Sequence, residues 1–142
     1  MIILVIDAQG GGLGKQLITR IKKELPELTV LAVGTNTAAT AAMLKAGADE
    51  AATGENAVIV ASRKANIIIG PVGMLIADSM LGEITPKMAL AVAQAEAMRI
   101  IIPFSNCDNY VAGVSDFGIT RLTEDALDFL RKHLKKYEDI VK

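Results

Sequence analysis

The chain alternates between short apolar runs and segments in which apolar residues recur every three or four positions. Ile2–Ile6 is the first run, nearly free of polar positions, as a strand buried on both faces of a parallel sheet requires. Leu13, Leu17, Ile18, Ile21 and Leu25 follow at helical spacing, with Lys22, Lys23 and Glu24 left to solvent, and Pro26 stops the helix. Leu28–Val33 reads as a second strand, and Gly34-Thr35-Asn36 turns into an alanine-rich helix through Lys45 that Gly47 closes. Asp49–Thr53 reads as a short third strand and Gly54–Arg63 as a short helix. Asn66–Ile69 is the fourth strand, Gly70-Pro71-Val72-Gly73 the turn behind it, and a further helix runs from there to Gly82. Thr85-Pro86 starts the next helix, Thr as its cap and Pro where a missing N–H costs nothing. Arg99–Pro103 is the fifth strand, and Phe104–Gly118 is loop-like with Tyr110–Val114 extended. Thr123 caps the last helix, with Glu124 and Asp125 in its first turn and bases in its last. Strands alternating with helices imply a single Rossmann-like three-layer α/β domain over residues 1–142. Its sheet is expected to be mostly parallel, with about five strands in the order 3-2-1-4-5 and right-handed crossovers.

Composition narrows the class. A chain of 142 residues, 51% of them apolar, fits one domain with a filled core. Net charge is -1, with no basic block outside Arg131, Lys132, Lys135, Lys136 and Lys142, so neither a nucleic-acid footprint nor a polybasic membrane anchor is indicated. Those five bases read as solvation of the last helix. A single cysteine, Cys107, excludes an internal disulfide framework and any multi-cysteine metal site. The N-terminus lacks the basic lead-in of a signal peptide, and Ile67–Ala77, the longest uncharged apolar run, is too short to span a bilayer. A cytoplasmic protein is expected.

The chemistry gathers at Asp7-Ala8-Gln9-Gly10-Gly11-Gly12-Leu13-Gly14-Lys15, between the first strand and the first helix. Glycines there let bare backbone approach a ligand, and a helix N-terminus offers unpaired N–H groups to an anion. In the order 3-2-1-4-5 the first and fourth strands are neighbours, so Gly70 and Gly73 are expected to face this turn across the crevice where α/β sheets bind ligands. The expected ligand is a nucleotide or another phosphate-bearing small molecule, NAD(P) or a relative of it. Gly10, Gly11, Gly12 and Gly14 would present N–H groups and Lys15 charge; Thr35 and Asn36 would meet a ribose, unless Asn36 is only a cap. Gly70 and Gly73 would close the opposite wall. Both common templates are incomplete. A dinucleotide fingerprint would have glycine where Lys15 stands, and a P-loop would have Ser or Thr at Gln16 and Gly at Gln9. Asp7 is expected to accept backbone N–H bonds from the glycine turn.

No reaction is fixed by these residues. Ser105–Asn109 follows the fifth strand and so falls on the same rim, but His133, the sole histidine, lies between lysines on the last helix as a poor base for Cys107. A transferase using Cys107 or Asp108 ranks below binding, and no carboxylate pair or histidine cluster has metal spacing. From Ala65 to Met98 only Asp78, Glu83, Lys87 and Glu96 are charged. The expected helix after Gly73, with Met74, Leu75, Ile76, Met80 and Leu81 around its circumference, needs a cover, as does the next one with Met88, Leu90 and Val92. A homo-oligomer, most simply a dimer, follows, with Asp78 near the interface or the crevice. The alternative is a non-enzymatic interaction or sensor protein whose glycine turns are structural.

Three segments, Asp7–Lys15, Gly34–Asn56 (GTNTAATAAMLKAGADEAATGEN) and Gly70–Met88 (GPVGMLIADSMLGEITPKM), resemble an uncharacterised bacterial domain-of-unknown-function family of small Rossmann-like proteins. The likeness runs from the N-terminus to Phe104. It implies the fold and a cytosolic bacterial setting, and it carries over no catalytic residue.

Overall fold

A computed structural model describes residues 1–104, 109–114 and 118–141. In chain order the elements are β1 (Ile2–Asp7), α1 (Gly12–Glu24), β2 (Thr29–Gly34), α2 (Thr37–Lys45), β3 (Glu50–Thr53) and α3 (Glu55–Lys64). After them come β4 (Ile67–Pro71), a 3₁₀ turn (Val72–Leu75), α4 (Pro86–Gln94), β5 (Met98–Ile102) and α5 (Ile119–Val141). The five strands form one parallel sheet in the order β3-β2-β1-β4-β5. The expected architecture and strand order therefore stand.

Side chains alternate across β1, and both faces are buried. Ile3 and Val5 join Leu13, Leu17, Ile18 and Ile21 of α1, Met43 of α2, and Leu127 and Leu130 of α5 in one core. Leu4 and Ile6 join Val58 of α3 and Met88 and Val92 of α4 in the other. Each such side chain contributes about 1.5–3 kcal/mol, which is why the central strands carry no polar residue until Asp7. The chain winds outward from β1 to β3 with its helices on one face, then returns to β4 with α3 and α4 on the other. The reversal leaves the carboxyl ends of β1 and β4 side by side. No helix among the described residues is long and apolar enough to cross a membrane.

Three expectations are corrected. The helix expected from Gly73 to Gly82 is absent: after the 3₁₀ turn, Ile76 is extended, and Asp78, Met80 and Leu81 take φ of 63°, 55° and 57°, followed by Gly82 at 83°. The Ser79 hydroxyl donates to the Gly73 carbonyl (2.6 Å) and the Asp78 N–H to the Ile84 carbonyl (2.7 Å), so local bonds replace a helical ladder. With that helix goes the argument for an apolar cylinder in need of a cover. Met74 and Ile84 are buried in the chain's own core, and Met88, Ala89 and Val92 of α4 lie against it. Thr123 does not cap α5. The helix begins one turn earlier at Ile119, and the buried Thr123 hydroxyl donates back to the Ile119 carbonyl at 2.7 Å. Its first turn holds no acid and its last no base. Among the described residues, Tyr110–Val114 forms a turn through Gly113 (φ 82°) instead of an extended segment.

Candidate functional site

The cavity at the carboxyl ends of β1 and β4 measures about 580 Å³. The glycine turn, Asp7 to Leu13, forms one wall; Pro71 and Ile76–Leu81 form the second; Phe104, Asn109 and Ile119 form the third.

The glycine turn divides into two pairs by what surrounds them. Gly11 is the α1 N-cap in the left-handed region (φ 73°), and a Cβ there would stand 2.8 Å from the Ala39 Cα. At Gly14 a Cβ would meet the Met43 Sδ at 2.5 Å and the Asp7 Cβ at 3.0 Å. Those two let α1 lie directly on α2 and on the end of β1. Gly10 and Gly12, by contrast, have nothing within 4 Å of where a Cβ would be, and their N–H groups have no hydrogen-bond partner among the described residues. Both line the cavity.

Asp7 turns its carboxylate back into the protein. One oxygen accepts from the Ala8 N–H (2.8 Å) and the other from the Gly14 N–H (2.7 Å), so the carboxylate pins the first turn of α1 to the end of β1, as expected from sequence. Burial pushes its pKa up; the Gly14 and Ala8 N–H groups pull against that rise, and the nearby Glu83 charge adds to it.

A second carboxylate, Glu83, sits behind the glycine turn; of the residues it binds, Gln9 lines the cavity and Thr35 and Asn36 do not. The Glu83 Oε1 accepts from the Gln9 N–H (3.0 Å), the Thr35 hydroxyl (2.8 Å) and the Asn36 amide nitrogen (2.5 Å). Burial alone would raise the Glu83 pKa, but the bonds from Thr35, Asn36 and Gln9 outweigh it and hold the carboxyl below its ordinary 4.5. Asn36 also caps α2, its Oδ1 accepting from the Ala39 N–H, and donates to the Gln9 carbonyl. The place where a ribose was expected is thus held by the chain's own acid. Only the charge at position 83, in a turn between two apolar segments, hinted at it, and a charge there reads as solvation.

The remaining candidates fall elsewhere. Lys15 is exposed and does not line the cavity. Gly70 and Gly73 are buried behind the wall, where a Cβ would strike the Met74 Sδ and the Ile6 carbonyl oxygen (2.6 and 2.7 Å) in the first case and the Met80 Cε (2.7 Å) in the second. They permit close packing of β4 and of the segment after it, while Pro71 meets the cavity. Asp78 is at the cavity wall. Cys107 and Asp108 lie outside the described residues. His133 is at the opposite end of the sheet, between Phe129 and Tyr137, with ring centroids 5.9 and 5.0 Å away.

That opposite end carries a larger concavity, about 1030 Å³, lined by Met1, Ile59, Leu90, Met98, His133 and Tyr137 among others. It lies at the amino ends of the strands, where no strand-to-helix turn contributes, so the smaller cavity is the better candidate despite its volume. Among the described residues no three metal-ligating side chains converge. Among the described residues of the cavity, no nucleophile is paired with a base.

No curated protein matches the chain. A solved structure, that of a dodecameric FMN-dependent Ubix-like decarboxylase from Escherichia coli O157:H7, is similar at 16% sequence identity and a TM-score of 0.46, over 90% of this chain and 75% of that one. The family model described as domain of unknown function (DUF3842) matches residues 2–135, reaching well past Phe104 into α5, and the chain belongs to that family.

Proposed function

We propose that the protein binds a phosphate-bearing small molecule, a nucleotide, in the cavity at the carboxyl ends of β1 and β4. One observation carries the reading: Gly10 and Gly12, whose N–H groups have no partner among the described residues, present bare backbone to an open volume at the sheet's reversal point. Gly11 and Gly14 shape the turn. Ile76, Met80, Phe104 and Ile119 offer apolar walls to a ring. In an NAD(P)-like dinucleotide the adenosine ribose lies at the end of the second strand, and there Glu83 already fills the donors of Thr35 and Asn36. With Glu83 in place, the open volume favours a mononucleotide.

The test is the melting temperature with millimolar AMP, ATP, GTP, FMN, FAD, NAD, NADP and coenzyme A added singly. A ligand at about a hundred times its dissociation constant adds nearly 3 kcal/mol, so one mononucleotide should give a plain upward shift. Gly12→Asp should abolish it without loss of fold, because an acid in a helix's first turn suits the dipole while repelling a phosphate. A flat panel with the wild-type chain sinks the reading.

A second reading, a homo-oligomeric interaction protein and most simply a dimer, is favoured by the exposed Met1, Leu90, Met98 and Tyr137 around the larger concavity. Light scattering that gives a monomer at micromolar concentration would remove it.

A further inference from the structure

We propose that the Gln9 N–H, the Thr35 hydroxyl and the Asn36 amide form an anion subsite, which the Glu83 carboxylate occupies as an internal stand-in. The segment Ile76–Glu83, of which Ile76–Leu81 line the cavity, is then a strap that an incoming phosphate group releases. The proposal deepens the ligand-binding reading and rests on it for what enters the cavity.

The donors belong to the scaffold and not to the strap. Gln9 follows β1, Thr35 and Asn36 follow β2, and the two turns are joined to each other by the bond from the Asn36 amide to the Gln9 carbonyl (2.9 Å) without help from Glu83. Asn36 is further fixed by its cap to Ala39 and Thr35 by the bond from its N–H to the Asp7 carbonyl (3.1 Å). Three donors so held converge within 3.0 Å on a single carboxylate oxygen, and the other oxygen has no partner among the described residues. A site that holds one oxygen of a carboxylate in this way meets one oxygen of a phosphate by the same geometry.

The strap is built to let go. Asp78, Met80 and Leu81 are non-glycine residues in the left-handed region, a conformation that costs an L residue energy, and Leu81 is fully exposed. Ile76 and Met80 line the cavity, so movement of the strap widens it. A phosphate in the subsite and the Glu83 carboxylate exclude each other by charge and by space. Because Glu83 is tethered, it competes at a local concentration on the order of millimolar or above, which an external anion must exceed.

Amide spectra of the ¹⁵N-labelled full chain test this, with inorganic phosphate as the probe. In Glu83→Ala the Gln9 amide should respond to phosphate at a concentration at least tenfold lower than in the wild type, and the Ser79–Gly82 amides should exchange at least tenfold faster. Glu83→Gln, whose amide oxygen can still accept, should keep part of that protection; it also serves for the titration if the alanine variant does not fold. A Gln9 amide that ignores phosphate in a folded Glu83 variant overturns the subsite, and unchanged strap exchange overturns the strap. Neither result depends on the Gly10 and Gly12 amides, whose response to nucleotides reports separately on the binding reading.

Discussion

At the level of single residues, the glycines between β1 and α1 do two different jobs. Gly14 has no room for a methyl group, since it would meet Met43 and Asp7, whereas Gly10 faces open space. Gly14→Ala should therefore lower stability by about 1–3 kcal/mol through overpacking, and Gly10→Ala should leave it within about 0.5 kcal/mol. Urea midpoints of the two variants decide the matter. The two carboxylates differ in sign as well. Asp7 has a raised pKa in the fold, so its charge costs stability at neutral pH, and that cost is relieved as pH falls through the raised value toward the ordinary 3.8. Glu83 has a lowered pKa, so its stabilisation is present above 4.5 and is lost as pH falls through the lower folded value. The stability difference between wild type and Glu83→Gln should accordingly be constant above the ordinary glutamate range and shrink below it. A difference that grows on acidification would contradict the assignment of charge to Glu83.

At the level of elements, two helices start from side-chain caps of unequal reach. Among the described residues the Thr85 hydroxyl accepts only from the Met88 N–H at the head of α4, while Asn36 accepts from Ala39 and also donates to Gln9 and Glu83. Thr85→Ala should cost about 1 kcal/mol, an ordinary cap loss, and Asn36→Ala should cost more; equal losses by urea denaturation would mean that the Glu83 contact contributes nothing. The same elements mark what the sequence made legible. Unbroken apolar runs announced β1 and β4, because a strand buried on both faces has no polar side to show. Thr85-Pro86 announced α4 because its signal is local. The segment from Met74 to Leu81 misled, because a run of apolar residues fits a helix as readily as a packed turn, and only the φ angles of Asp78, Met80 and Leu81 tell the two apart. Thr123 misled for a related reason: the hydroxyl that could cap a helix also bonds back to the preceding turn.

At the level of the molecule, the sheet reversal between β1 and β4 opens the candidate cavity, and the strand order behind it followed from the alternation of strands and helices. What did not follow was Glu83. Its partners lie 47 to 74 residues away, and no local pattern encodes a contact at that separation. The large concavity at the amino ends of the strands was equally invisible, since it arises where Met1, α4 and α5 come together. The described residues thus leave hollows at opposite ends of one sheet, and the proposed ligand site is the smaller of these two. The most direct test is the amide spectrum of the wild-type chain titrated with the nucleotide panel. Binding at the proposed site predicts movement of the Gly10, Gly12 and Ile76 resonances while Ser62, Asn66 and Ala95, at the other end, stay in place. Movement confined to Ser62, Asn66 and Ala95, or no movement with any nucleotide, would contradict it.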